Sequence, residues 1–149
     1  MIYLGADHRG FQLKERIKEY LSSRGIAFED VGADEHDAGD DYPDYAYKVA
    51  EAVEKSPNAH RGIVLCGSGV GVAVVADKVK GIRAGLFFDE RQAQDATAHD
   101  HVNVAALPAD FLSFEKALAI VEAFLHTEYA KEARHLRRIE KARAIENQR

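Results

Sequence analysis

Residues 62–71 constrain the fold of this chain more than any other segment. An apolar run with strand character ends at Cys66, the only cysteine, and glycines then alternate at positions 67, 69 and 71 before helical sequence at 73–78. A strand that ends in a thiol and continues as a turn of bare backbone N–H groups can hold a base beside an anion-binding site. The same turn can also cradle a phosphate or simply be tight.

The remaining sequence alternates strands with helices. The hydrophobic pattern predicts strands at residues 2–6, 26–31, 63–66, 82–88 and 102–107, and helices at 11–23, 43–54, 73 to about 81, 90–99, from 113 onwards and 128–146. Strands that are separated by helices imply right-handed crossovers and a parallel sheet covered on both faces. We therefore expect a Rossmann-like α/β fold, with residues 1–149 as one domain.

Composition narrows the class of protein. The net charge is −5, which argues against a general affinity for nucleic acid or for anionic membranes. A single cysteine cannot form an internal disulfide, and no apolar run approaches the roughly 20 residues that span a bilayer. We expect a cytoplasmic protein. Basic residues gather near the C-terminus, up to Arg149, as either a local anion site or a solvated helix face.

Polar residues follow the predicted strands, at the edge where open α/β sheets bind ligands. Asp7 and His8 follow the first strand, and Cys66 with Ser68 follows the third. A free cysteine is usually a small buried apolar residue, but a helix start directly downstream favours a reactive thiolate. Ser68 is either a chemical group or a helix N-cap. The residues alone leave both alternatives open.

Three further patterns are ambiguous. The glycines read G-x-G-x-G rather than G-x-G-x-x-G, so a dinucleotide site with Asp89 on the ribose is only weakly supported. His99, Asp100 and His101 are consecutive, but no cysteine and no i, i+4 histidine pair accompanies them, so we expect no metal ion. Arg134 and Arg138 lie four residues apart, on one helix face, where they either bind a phosphate or remain solvated.

Taken together, these motifs resemble the type B ribose-5-phosphate isomerase family, which also contains galactose-6-phosphate isomerase subunits. The likeness covers nearly the whole chain: G-A-D-H-R-G-F at 5–11, D-Y-P-D-Y-A at 41–46, C-G-S-G-V-G at 66–71, D-K-V-K-G-I-R-A at 77–84, the segment 99–103, and R-H-x-x-R-I-E at 134–140. The combination is specific, although no single motif is. Because it retains this cysteine, the chain resembles the ribose-type branch of the family rather than the galactose-type branch.

The resemblance implies a cofactor-free aldose–ketose isomerase that interconverts ribose 5-phosphate and ribulose 5-phosphate through a cis-enediolate. Cys66 would be the base, Ser68 would assist proton transfer, and His99 would open the sugar ring. Asp7 and Tyr42 would contact sugar hydroxyls, and His8 with the two arginines would contact the phosphate. The substrate-binding residues expected on this basis are Asp7, His8, Tyr42, Gly67, Gly69, Val70, Gly71, Asp100, Arg134, His135 and Arg138.

The resemblance also implies a three-layer α/β/α sandwich around a five-stranded parallel sheet. It implies a homodimer, or a dimer of dimers, with shared active sites and a C-terminal helix that extends to a partner subunit. Two residues depart from the family pattern. Asp100 replaces the usual asparagine, and Asp110 stands where an arginine usually helps to bind phosphate. An anion at position 110 would weaken phosphate binding unless it turns away or pairs with an arginine.

Two alternatives to the ribose reaction are considered. The first is isomerisation of another aldose phosphate, such as allose 6-phosphate, galactose 6-phosphate or a four-carbon sugar phosphate. The second is a non-catalytic module that binds a nucleotide or a sugar phosphate.

Overall fold

Five strands and six helices alternate along residues 1–148, the part of the chain that the computed structural model describes. Arg149, the last of the C-terminal basic residues, lies outside that part. The elements are β1 (Ile2–Ala6), α1 (Phe11–Ser23), β2 (Phe28–Asp30), α2 (Tyr42–Glu54), β3 (Arg61–Cys66), α3 (Val70–Ala76), β4 (Ala84–Leu86), α4 (Glu90–Asp100), β5 (Val104–Pro108), α5 (Phe114–His126) and α6 (Ala133–Glu146).

The strands form one parallel sheet in the order β2-β1-β3-β5-β4, which confirms the predicted five-stranded parallel sheet. From β1 the chain crosses to β2 on one side and then to β3 on the other. Ligands of open α/β sheets bind at such a reversal. The register pairs Ala6 with Leu65 and Cys66 with Pro108, so the carboxyl ends of β1, β3 and β5 meet at one edge.

Two apolar layers cover the sheet because side chains alternate along each strand. In β3, Ile63 and Leu65 pack with α1, α4 and α5, whereas Val64 and Cys66 pack on the opposite face with α2 and α3. The β3 side chains of both layers are almost completely buried. This alternation gives the three-layer sandwich and fixes the direction of the Cys66 thiol, toward the α2 and α3 side.

The connection between α5 and α6 differs from the sequence prediction. A helix was expected over 128–146, but α6 begins at Ala133. The Tyr129 ring stacks on His101 with centroids 4.3 Å apart. The backbone N–H of Ala130 donates to the Ala98 carbonyl (2.9 Å), and the His101 ring Nε2 donates to the Ala130 carbonyl (2.8 Å). These contacts with α4 hold the segment in a non-helical path.

The structure also gives two of the ambiguous residues a structural role. The Asp89 carboxylate accepts the backbone N–H groups of Arg91 and Gln92, at 2.8 and 3.2 Å, and so caps α4. His101 ends the same helix in the left-handed conformation, with φ of 51°. Asp89 therefore belongs to the helix start rather than to the turn after β3, and His101 belongs to the helix end.

Candidate active site

A cleft of about 470 Å³ opens at the edge where β1, β3 and β5 end. Residues from five segments of the chain line it: Asp7, Arg9, Tyr42, Cys66, Gly67, Ser68, Gly71, Asp110 and Phe111. Most of these were predicted as site residues from the sequence. The register of the sheet explains their meeting, because Ala6, Leu65, Cys66 and Pro108 end neighbouring strands.

Cys66 presents its sulfur to a backbone donor. The residue is 5% exposed, and its Sγ accepts the Gly69 N–H at 3.2 Å. Gly69 is the N-cap of α3 and has φ of 73°, a left-handed conformation that favours glycine. The carbonyls of Cys66 and Gly67 accept the N–H groups of Ala109 (2.9 Å) and Asp110 (3.0 Å). The segment after β5 therefore fixes the turn that carries the thiol.

The rest of the turn is close to other side chains. A Cβ added to Gly71 would lie 2.6 Å from the Tyr42 ring, so the absence of a side chain there lets the tyrosine lie against α3. Ser68 is exposed, and its Oγ accepts the Val70 N–H at 3.3 Å. Val70 itself is half exposed. The Ser68 hydroxyl is thus at the surface of the cleft, where it can reach a bound molecule.

Asp7 and His8 have different surroundings despite being neighbours. Asp7 is buried, and its Oδ1 accepts the N–H groups of Arg9 (3.0 Å) and Gly10 (3.1 Å). His8 is turned to Asp40: its backbone N–H (3.0 Å) and its ring Nδ1 (2.8 Å) both donate to the Asp40 Oδ1. This carboxylate orients the His8 ring and fixes the position of its proton.

Asp110 pairs with an arginine. Its carboxylate forms an ion pair with the Arg9 guanidinium at the rim of the cleft. The two side chains are 37% and 59% exposed, respectively. The departure from the family pattern at position 110 is thus accompanied by a cation from the loop after β1.

The remaining predicted residues lie on α4 and α6. The His99 and His135 rings stack with centroids 4.3 Å apart and planes 6° apart. Burial lowers the pKa of His135, and the His99 ring lowers it further. The His135 Nε2 is buried and has no hydrogen-bond partner among the described residues. Asp100 and Arg138 line a second cavity, which shares no lining residue with the cleft. Within one chain, the predicted site residues therefore form two separate groups.

Two general properties of the described residues bear on function. Among residues 1–148, no helix is long and apolar enough to cross a membrane. In the same range, no group of three or more His, Cys, Asp or Glu side chains is placed to hold a metal ion.

The chain belongs to the Ribose/Galactose Isomerase family, which matches residues 2–142. It is 41% identical over 140 residues to a probable ribose-5-phosphate isomerase B of Mycoplasma genitalium, covering 94% of this chain and 91% of that protein. It is 40% identical over 139 residues to ribose-5-phosphate isomerase B of Mycobacterium tuberculosis, covering 93% of this chain and 85% of that protein.

A solved structure agrees with the fold over its whole length. The crystal structure of the Mycoplasma genitalium ribose-5-phosphate isomerase B, with bound ribulose-5-phosphate, superposes with a TM-score of 0.96. The two chains are 39% identical, and the match covers 99% of this chain and 97% of the other. These findings confirm the resemblance that the sequence motifs indicated.

The sequence analysis assigned no role to Arg9. The residue lies inside the G-A-D-H-R-G-F motif, but its partner Asp110 is about a hundred positions away in the chain. No pattern among neighbouring residues in the sequence predicts an ion pair between positions so far apart. The only available signal was the charge at position 110, for which the sequence left two alternatives, a side chain turned away from the phosphate or one paired with an arginine.

Proposed function

We propose that this protein is an aldose–ketose isomerase that interconverts ribose 5-phosphate and ribulose 5-phosphate, with Cys66 as the base. The observation that carries the proposal is the Cys66 Sγ, which lies in the cleft and accepts the Gly69 N–H at 3.2 Å. This donor holds the sulfur in position beside the turn, and a cysteine thiolate can abstract a proton. Membership in the isomerase family and the ribulose-5-phosphate-bound relative support the choice of substrate.

The reaction moves one proton between neighbouring carbons. The Cys66 thiolate takes the proton from C2 of the open-chain aldose, and the electron pair forms a C1–C2 double bond. The former C1 carbonyl oxygen becomes the enediolate oxygen, and a proton passes between the two oxygens with help from the Ser68 hydroxyl. The thiol then returns its proton to C1, which gives the ketose. Backbone N–H groups of residues 67–71 hold the developing charge, where donors fixed in advance are most effective.

The backbone N–H groups of this turn have different partners. The N–H of Gly69 faces the sulfur, and the N–H of Val70 faces the Ser68 hydroxyl. The other N–H groups, of Gly67, Ser68 and Gly71, are the ones that we assign to the substrate oxygen. The buried Asp7 and the Tyr42 hydroxyl would bind sugar hydroxyl groups, which places the reacting carbons beside Cys66.

We further propose that α4 and α6 of a second copy complete the cleft, in a homodimer or a dimer of dimers. His99 would then open the sugar ring, and Arg134 and Arg138 would bind the phosphate with His8, next to Asp100 and His135. Two observations support this arrangement. These helices line a separate cavity of their own chain. In addition, Val70, Val74, Phe88 and Phe111 are 47–68% exposed, and exposed apolar residues of this kind are typical of an interface.

Cys66→Ala tests the chemical step directly. We expect kcat to fall by about 10²–10⁴-fold, because general-base catalysis contributes that much. Solvent deuterium should enter the sugar phosphate with the wild type in D₂O and not with the variant. Cys66→Ser is the matched control for volume, and it should also be inactive because a hydroxyl is a far weaker base than a thiolate. Turnover by Cys66→Ala at the wild-type rate would refute the mechanism.

Mixing two inactive variants tests the shared site. Neither Cys66→Ala nor His99→Asn should be active alone. If each cleft takes His99 from the other subunit, a mixed dimer of the two variants contains one intact site of two. Random assortment then restores about a quarter of the wild-type activity. No recovery after demonstrated subunit exchange would contradict the arrangement.

The identity of the sugar is tested separately. The carboxylate of Asp100 lacks the N–H donors of an amide and adds negative charge near an anionic intermediate. This observation favours, as the second candidate, the isomerisation of another aldose phosphate. Comparison of kcat/KM over ribose 5-phosphate, allose 6-phosphate, galactose 6-phosphate and a four-carbon aldose phosphate separates the two. Ligand-dependent thermal stabilisation without turnover of any sugar would instead indicate a binding module. The cellular location is a separate proposal. We propose that the protein is cytoplasmic, because its one cysteine is free and free thiols are typical of proteins in reducing compartments.

A further inference from the structure

The ion pair between Arg9 and Asp110 lies directly on the turn that carries the thiol. A Cβ added to Gly67 would be 2.8 Å from the Arg9 Nε and 2.6 Å from the Asp110 Oδ2. Gly67 is the residue that follows Cys66 in the chain. The guanidinium and the carboxylate therefore pack against the residue next to the proposed base, and the missing side chain at position 67 makes room for them.

The backbones of both residues are hydrogen-bonded within the site, whereas their side chains are partly exposed to solvent. The Arg9 N–H donates to the buried Asp7 Oδ1 at 3.0 Å, and the Asp110 N–H donates to the Gly67 carbonyl at 3.0 Å. In contrast, the Arg9 side chain is 59% exposed. The pair thus consists of two charged groups that solvent and ligands can reach, carried by two main-chain positions that hydrogen bonds fix.

Stability does not explain this pair. Ion pairs with such exposure contribute about 0–1 kcal/mol, because water competes for both partners and ordering two side chains costs entropy. The charge of the cleft gives a better explanation. Among the described residues that line it, Arg9 is the only lysine or arginine, alongside the carboxylates of Asp7 and Asp110. A phosphate ester that enters this cleft needs a cation. Arg9 is the cationic side chain that comes from the same subunit as Cys66.

We infer that Arg9 binds the phosphate of the substrate and that Asp110 competes with the phosphate for the guanidinium. This inference rests on the proposed function. In the free protein the carboxylate occupies the guanidinium, and a dianionic phosphate displaces it because it offers more charge and more acceptor oxygens to the same planar donor group. Ligands without a dianionic group do not displace Asp110. The pair therefore makes the cleft selective for phosphorylated sugars, at a cost in affinity.

Kinetics of three single variants test the inference. Arg9→Gln removes the cation, Asp110→Asn removes the competitor, and Lys55→Gln is the matched control. Lys55 is exposed and follows the end of α2 opposite to Tyr42. The measurements are kcat and KM for the aldose phosphate and the inhibition constant of inorganic phosphate, each at low and at moderate ionic strength.

Arg9→Gln and Asp110→Asn should change KM and the phosphate inhibition constant in opposite directions. Arg9→Gln should raise KM and the phosphate inhibition constant by about 10–100-fold, which is the effect of one lost charge-assisted hydrogen bond, with kcat within about threefold. Asp110→Asn should lower both constants severalfold, and this gain should shrink in the Arg9→Gln background because the two effects are coupled. Lys55→Gln should match the wild type.

Three results would overturn the inference. They are an unchanged phosphate inhibition constant in Arg9→Gln, a loss confined to kcat, and a raised KM in Asp110→Asn, which would make Asp110 an orienting group instead of a competitor. Arg9→Lys, which keeps the charge without the planar fork, guards against misfolding and should fall between the wild type and Arg9→Gln. Calorimetric binding of inorganic phosphate tests Arg9 even if no aldose phosphate is turned over, so failure of the proposed function is distinguishable.

Discussion

The substitution Gly69→Ala tests what the turn after Cys66 contributes to stability and, separately, to activity. Gly69 has φ of 73°, and the left-handed conformation costs an L-residue about 1–2 kcal/mol. A Cβ would also lie 2.5 Å from the Leu86 Cδ1, 3.0 Å from the Pro108 nitrogen and 3.2 Å from the Leu107 carbonyl carbon. Two of these three atoms belong to the backbone of β5 and cannot move alone. Forcing a methyl group into such a site costs a further 1–3 kcal/mol, roughly.

Gly25→Ala is the matched control. Gly25 has φ of 65°, close to that of Gly69, but a Cβ there would meet nothing within 4 Å. We expect Gly25→Ala to lose about 1 kcal/mol of unfolding free energy and Gly69→Ala about 3 kcal/mol, because only the second has both terms. Urea unfolding at equilibrium, with both variants at the same protein concentration, measures the difference.

Activity gives the second half of the test. The methyl group pushes the backbone of residue 69 away from β5, so the N–H at 3.2 Å from the Cys66 Sγ loses its alignment. We expect kcat to fall by about tenfold or more, because the proposed base loses the donor that holds its sulfur in position, while Gly25→Ala keeps wild-type kcat. Equal unfolding free energies for the two variants would refute the packing argument. A wild-type kcat for Gly69→Ala would refute the role of this N–H.

Two further predictions concern stability. Burial and the His99 ring lower the pKa of His135 below its ordinary value of 6.5, so the unfolded chain binds a proton there more readily than the folded protein. The unfolding free energy should therefore fall as pH drops below 6.5, and His135→Phe should show a shallower fall; identical pH profiles would contradict this. Asp30→Asn should cost about 3 kcal/mol in urea unfolding, because it removes the carboxylate 2.7 Å from the fully buried Lys14 ammonium and leaves only the more distant and partly exposed Glu15, at 3.6 Å, as a counter-charge. Glu140→Gln breaks only an exposed pair and should change stability by less than about 0.5 kcal/mol; equal losses in the two variants would contradict the reasoning.

Much of the fold follows from local sequence. Short apolar runs between helical segments predicted the strands, and the glycine turn after Cys66 predicted where β3 ends. The path of residues 127–132 could not be predicted, because their composition suits a helix and contacts with the end of α4, the stacking of Tyr129 on His101 and the hydrogen bonds of Ala130, hold them in another path. Such a contact joins residues 28 positions apart and depends on where α4 ends.

In the site, as in the fold, local sequence predicts one part and does not predict another. Asp7, Tyr42, Cys66 and Ser68 meet in one cleft because each follows a strand or begins a helix at the same edge of the sheet. Sequence position predicts such meetings once the strands are known to be parallel. The ion pair of Arg9 with Asp110 could not be predicted, because neither residue belongs to a strand and their distance depends on two loops.

Position 110 has two roles that act through different atoms. Its backbone N–H holds the Gly67 carbonyl, and so helps to fix the turn that carries the thiol. Its side chain acts on Arg9 instead. Any residue except proline supplies the N–H, so the charge at this position can change from that of arginine to that of aspartate without loosening the turn. This separation explains why we expect substitutions of Asp110 to alter KM and leave kcat nearly constant, whereas substitutions of Gly69 alter kcat.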